Sequence, residues 1–173
     1  MLARSCSPRK AVILIKTANS CSKHTGGEEE VSMAYSTRLS DALHVLVFIE
    51  EQQGADLSSD AIAKSLAANP SSVRQMMSKL KRAGLIESVT GHAMPRLARA
   101  PETITMLDVY HAVEGDKPLL HLDTHTNPAC GVGVNVQLVI GELFADVQRE
   151  TEAAMASIAL SQIIARYHTR IAR

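Results

Sequence analysis

The chain has 173 residues and a formal net charge of zero, with 46% apolar and 21% charged residues, the balance of an ordinary soluble globular protein large enough for one domain or a domain with an appendage. Three cysteines, Cys6, Cys21 and Cys130, are too few and too widely spaced for a disulfide framework, and the apolar run at residues 11–15 is too short for a membrane span or a signal-peptide core, so a cytoplasmic protein is expected. Aromatic residues make up 3% and Trp is absent, which leaves Leu, Ile, Val, Met and Ala to build the core and favours helix packed on helix.

Residues 1–32 have no sustained periodicity and read as a flexible tail, with Met33 as a candidate true start. A cationic arm is the alternative, weakened by Glu28, Glu29 and Glu30 directly after the basic stretch. From Ser36 to Gln52, Leu39, Ala42, Leu43, Leu46 and Ile49 recur at helical spacing, and Gly54 ends the pattern. A second helix starts near Ser58 or Ser59 and turns Ala61, Ile62 and Leu66 inward. After a break at Ala67, Ala68 and Asn69, a third helix runs from Pro70 to Ala83, capped by Asn69 and stopped by Gly84.

On a helical wheel this third helix puts Val73, Met76, Met77, Leu80 and Ala83 on one side. Arg74, Gln75, Ser78, Lys79, Lys81 and Arg82 occupy the other. Two short helices with a tight turn, the second showing Arg, Gln and Ser outward, form a helix-turn-helix. Its residue types suit DNA: Arg pairs with guanine edges, Gln with adenine, Ser and Lys with phosphates. Ser71, Ser72, Arg74, Gln75 and Ser78 are the candidates nearest the bases or phosphates. A solvated cationic face is the competing account of the same charges. Next come expected strands at residues 85–89 and 96–98, with a turn around Gly91. A hairpin directly after a recognition helix is a wing, on which Arg96 and Arg99 add to the backbone-contacting charge of Lys79, Lys81 and Arg82. Thr105 and Asp108 then have the spacing of a capping box for a helix that carries Leu107, Tyr110 and Val113 and ends at Gly115.

With this order of elements on the page, the chain from Met33 to Ile164 resembles the bacterial winged-helix regulators that include the iron–sulfur cluster regulator, the nitric-oxide-sensitive repressor and the cysteine-metabolism repressor. The resemblance is carried by STRLSDALHVL (36–46), MMSKLKRAGLIESVTG (76–91), LARAPETITMLDVYHAVEG (97–115) and HTNPACGVGVNVQ (125–137). It implies a mainly α fold with a small β-hairpin wing, a homodimer joined through a long C-terminal helix, and a DNA-binding transcription factor, usually a repressor. The expected organisation is a tail (1–32), a winged helix-turn-helix domain (33–115), a sensor or linker loop (116–134) and dimerisation helices (135–173). The residues add their own support for the last part. Val136, Val139, Ile140, Leu143, Phe144, Val147, Thr151, Ala154, Met155 and Ile158 continue one helical stripe, longer than a small winged domain needs, and a second copy would cover it. Packing under Ile163, Ile164 and Tyr167 is the alternative. A closed two-fold dimer matches a palindromic operator in duplex DNA.

The chain departs from that family in two places. Cluster-holding members use three cysteines in the loop before the long helix, and here there is only Cys130. No cofactor is therefore expected. At the wing tip, Ala93 and Met94 replace a Gly-Gly pair, which alters the minor-groove contact. His121, His125 and Cys130, with Asp123 or water as a fourth ligand, form a weak candidate zinc set and an alternative, zinc-responsive reading. Cys130 with His125 as base could also suggest a nucleophile, but nothing in the chain supplies an oxyanion hole or phosphate loop, and an enzyme is not expected. A dimeric protein-interaction adaptor is the other alternative. The expectation that links loop to function is that Cys130 sits just before the long helix, where an accessible thiolate would meet oxidants and electrophiles and act as a redox switch.

Overall fold

The computed structural model describes residues 36–88, 94–123, 126–127 and 129–173. The expectations for residues 1–32, the turn at Gly91, Ala93 and His125 fall outside the described residues. The first helix, α1 (Arg38–Glu51), buries Ala42, Val45, Leu46 and Ile49. Leu39 and Leu43, expected inside, are only partly buried, because the helix is rotated to seat Val45 in the core. In α2 (Ser59–Leu66), Ser58 caps the first turn by accepting a hydrogen bond from the Ala61 N–H at 3.2 Å. The turn to α3 (Pro70–Arg82) places Ala67 in the left-handed region at φ 51°. The Asn69 side chain then accepts from the Ser71 N–H at 2.8 Å. Asn69 and Pro70 thus start α3 as the residue types demand. Gly84, at φ +67°, ends it, and the Leu85 N–H reaches back to the Leu80 carbonyl at 3.0 Å, the six-to-one bond of a glycine-terminated helix.

The wing is a two-stranded antiparallel pair, β1 (Ile86–Glu87) and β2 (Arg96–Leu97), in register Ile86 to Leu97 and Glu87 to Arg96. A short 3-10 turn at Pro101–Thr103 leads into α4 (Met106–Glu114). Both halves of the expected capping box are present. The Thr105 hydroxyl accepts from the Asp108 N–H at 3.1 Å, and the Asp108 carboxylate accepts from the Thr105 N–H at 3.0 Å. Burial raises the Asp108 pKa, but the Thr105 N–H, the Arg99 guanidinium and the Thr105 hydroxyl outweigh it, so the carboxyl lies below its ordinary value. Stabilisation from a depressed carboxylate is present above the ordinary range and disappears as pH falls through the native value. Asp108→Asn is therefore expected to lower stability by about 1 kcal/mol at neutral pH. Denaturant titrations should also show a shallower loss than wild type below about pH 4.

The long helix α5 (Gly131–Ala156) begins four residues before the expected position, so the linker ends at Cys130. The helix stops at Ala156, which leaves Ile158 of the expected stripe in the turn before α6 (Leu160–Ile171). That turn pairs with the start of α4: the Met106 N–H donates to the Ile158 carbonyl and the Leu160 N–H to the Ile104 carbonyl, both at 2.8 Å. Leu160 joins Leu46, Ile62, Leu80, Leu85 and Ile104 in one core, and Ile164 packs against it. The expected segment 135–173 thus contains two helices with different surroundings. Its α6 half belongs to the winged-helix body, because Leu160 and Ile164 are apolar on the side that faces α1. Among the described residues of α5, Met155 near its C-terminal end is the one that is fully buried.

Candidate nucleic-acid interface

Helix α3 is held from beneath by Val73 and Leu80, both buried, and by half-buried Met76 and Met77. These contacts aim the opposite face outward. Ser71, Ser72, Arg74, Gln75 and Ser78 are all exposed, so the structure brings the five candidate reading residues together on one N-terminal surface. The Arg74 guanidinium donates to the Ser59 hydroxyl at 3.2 Å, which steadies a long side chain across the helix-turn-helix without neutralising it.

The remaining cations divide. Lys79 is half-buried and donates to the Val113 carbonyl at 2.8 Å. It neutralises the carbonyl end of α4, a favourable place for a cation, so its amine is held by the protein's own backbone. Lys81 holds the Ser88 hydroxyl at 2.9 Å. Arg96 pairs with Glu87 across the strands at 2.6 Å, and Arg99 with Asp108 at 3.2 Å. Exposed pairs of this kind contribute little, and phosphates can displace the acids. Arg82 is exposed and has no ion pair among the described residues. The hairpin itself stands where the sequence put it, with Met94 exposed near its tip.

Sequence reasoning placed α1 but did not count Arg38, at its start, among the candidate residues. Thr37, Arg38 and Asp41 line one crevice with Ser72, Gln75 and Lys79. Arg38, paired with Glu114 at 3.2 Å, therefore lies beside the reading surface. Its only sequence signal was a cation at a helix start, which the apolar pattern did not weigh.

At the far end of the linker, Cys130 is exposed and caps α5, its sulfur accepting from the Gly133 N–H at 3.4 Å. It is not packed under the loop. A Cβ at Gly133 would meet the Thr126 methyl at 2.8 Å, so the loop lies tightly on the first turn of α5. Among the described residues no group of three or more His, Cys, Asp or Glu is arranged to hold a metal ion. His121 is exposed. A cluster asks for about four cysteine or histidine ligands, and the described loop offers one cysteine, so its donor set does not fit one.

Comparison with known proteins gives a consistent picture. The family profile described as Rrf2, iron-dependent transcriptional regulator, matches residues 35–166. The chain is 36% identical over 129 residues to YwnA of Bacillus subtilis, described as an HTH-type transcriptional regulator, covering 75% of this chain and 96% of that protein. It is similar to a crystal structure titled as a DNA-binding protein, with 34% identity, a TM-score of 0.60, and 73% and 98% of the two chains covered. The fold is also that of CymR, the global cysteine regulator of B. subtilis, at 20% identity and a TM-score of 0.56, covering 77% and 97%.

Proposed function

The chain belongs to the Rrf2 family of transcriptional regulators, whose members are not enzymes, and from that premise we propose that it is a homodimeric repressor that reads a palindromic operator and is released from it by modification of Cys130. The observation that carries the DNA reading is the exposed set Ser71, Ser72, Arg74, Gln75 and Ser78 on a helix fixed from behind by Val73 and Leu80. Recognition helices dock by their N-terminal half, which is where Ser71, Ser72, Arg74 and Gln75 lie, with Ser78 one turn further on. Lys81, Arg82, Arg96 and Arg99 supply phosphate or minor-groove charge, with Arg38 beside them. Lys79 contributes through its support of α4. No helix among the described residues is long and apolar enough to cross a membrane, in keeping with a cytoplasmic regulator.

The dimer reading is supported by α5, whose exposed residues include Val132, Val136, Val139 and Leu143 at 75%, 48%, 55% and 56% exposure. Their spacing of four, three and four is a coiled-coil seam. A protein-only adaptor would use the same seam, so the test is salt. Affinity for duplex DNA carrying the operator should fall steeply with ionic strength, with a log–log slope of about −0.9 for each phosphate contacted. A salt-independent affinity, or none, returns the adaptor reading.

For the signal, we propose a cofactor-free switch, because the loop holds one cysteine where a cluster needs several. Oxidation at Cys130 removes the sulfur acceptor from the first turn of α5 and adds bulk at the join between the reading domain and the seam. Half-sites are fixed about 34 Å apart per helical turn, so a shift at that join changes operator affinity. Treatment with peroxide or a quinone should weaken operator binding by wild type at least about tenfold and leave Cys130→Ser unaffected. Equal responses of the two proteins place the switch elsewhere.

A further inference from the structure

Glu114 is the last residue of α4, where the free carbonyls make the negative end of the helix and an acid is disfavoured. It is also sheltered, with its side chain only 12% exposed. A carboxylate in such a place needs donors and a counter-charge, and both come from the start of α1. The Ser36 hydroxyl donates to Glu114 Oε1. Arg38 Nη1 donates to Glu114 Oε2 at 3.2 Å. The Ser36 oxygen in turn accepts from the Arg38 N–H at 3.4 Å. Glu114 therefore holds Arg38 twice, directly at the guanidinium and through Ser36 at the backbone.

The Arg38 side chain remains 56% exposed, and its Nε and Nη2 have no partner among the described residues. It lines the crevice that the start of α1 shares with Ser72, Gln75 and Lys79 of α3. The acid in that lining is Asp41, which accepts from the Thr37 hydroxyl at 3.0 Å and the Ser40 hydroxyl at 3.4 Å. Lys79 is tied to the same end of α4 through the Val113 carbonyl at 2.8 Å. The last two residues of α4 thus fasten the start of α1 to the reading helix.

A long side chain loses rotamer freedom when it grips a ligand, and one that is already held loses less. Glu114 occupies one edge of the guanidinium and leaves the rest of its fork, the part that suits phosphate oxygens, without a partner. Because Glu114 is sheltered and Arg38 is not, an approaching phosphate meets the guanidinium before the carboxylate. We infer that Glu114 is a positioning residue for DNA binding, which holds Arg38 ready for a backbone phosphate of the operator beside α3. Phosphate contacts fix the register of a protein on the duplex, so this one sets how Ser72 and Gln75 of the same crevice meet the DNA. The inference rests on the DNA reading of α3 and adds a residue that touches no DNA itself.

The test is duplex binding by the full chain over a salt series, for wild type, Arg38→Ala, Glu114→Ala and the double variant, with a thermal melt of each. Arg38→Ala is expected to weaken operator and non-operator duplexes alike, about five- to tenfold, and to make the log–log salt slope shallower by about one. Glu114→Ala is expected to weaken operator binding by about threefold or more, and the double variant to bind no worse than Arg38→Ala, because Glu114 acts through Arg38. A structural role alone would lower the melting temperature and multiply with the loss from Arg38→Ala, and that outcome overturns the inference. Wild-type or tighter binding by Glu114→Ala means that the carboxylate only screens the cation, and overturns it as well. Glu114→Gln keeps the shape and an oxygen acceptor, so it carries the test if the alanine variant does not fold. It is expected to lose part of what Glu114→Ala loses, and a gain in affinity overturns the inference. An unchanged salt slope in Arg38→Ala overturns it too, while the reading role of α3 stands or falls separately on Arg74. Wild-type binding that does not depend on salt overturns the DNA reading itself.

Discussion

Arg74→Ala is expected to lose about 1–3 kcal/mol of operator binding, roughly five- to 150-fold in affinity, with no loss of stability. Arg74 is exposed on the outer face of α3, and its guanidinium donates a hydrogen bond to the Ser59 hydroxyl. Truncation therefore opens no cavity and strands no buried group. A guanidinium that makes two hydrogen bonds to guanine has no substitute in the methyl of Ala, and the discrimination should relax at one base position. A competition assay with operators mutated one base pair at a time separates this from a phosphate role. Loss of a phosphate contact would weaken all sequences alike and lower the salt slope by about one. Wild-type affinity in the variant sinks the assignment of α3 as the reading helix. Lys79→Ala gives the contrasting pattern. Because its amine is committed to the Val113 carbonyl, its effect should appear in thermal stability before it appears in DNA binding.

Leu143→Glu is expected to convert the proposed dimer to monomer. Leu143 stands 56% exposed in the single chain, so a carboxylate there costs the monomer almost nothing. In the paired state it would be buried without a counter-ion, at a cost of about 3–5 kcal/mol, which is roughly a 150- to 5,000-fold rise in the dissociation constant. Operator affinity should fall with it, since a monomer engages one half-site at a time. Light scattering and a gel-shift titration read the two effects separately. A Leu143→Glu chain that retains the dimer mass shows that the seam lies elsewhere. Leu143→Met, close in volume and apolar, should behave as wild type.

The local chemistry of single segments was legible in the sequence. Asn69 followed by Pro70, Gly84 after Ala83, and Thr105 with Asp108 three residues on are short-range devices, and each marks in the structure the helix end it was read to mark. The exposed face of α3 was legible for the same reason. A helix's buried side fixes its outer side, and Val73 and Leu80 leave Ser71, Ser72, Arg74, Gln75 and Ser78 no other direction. The sequence by itself therefore determined the helix-turn-helix, the wing and the candidate reading surface. What it could not determine depends on residues distant along the chain. The amine of Lys79 is taken up by a carbonyl 34 positions away, and the wing arginines are met by Glu87 and Asp108. A wheel counts charges but does not show which of them are answered. The apolar stripe of α5 and the apolar face of α6 look alike in sequence, since both are mainly aliphatic residues at helical spacing. Only the fold separates them. Leu160 is buried at 1% exposure because the turn after α5 pairs with the start of α4, whereas Val132 is left at 75% exposure by the described residues of its own chain. Periodicity states that a face needs cover; long-range packing decides whether the same chain or another supplies it.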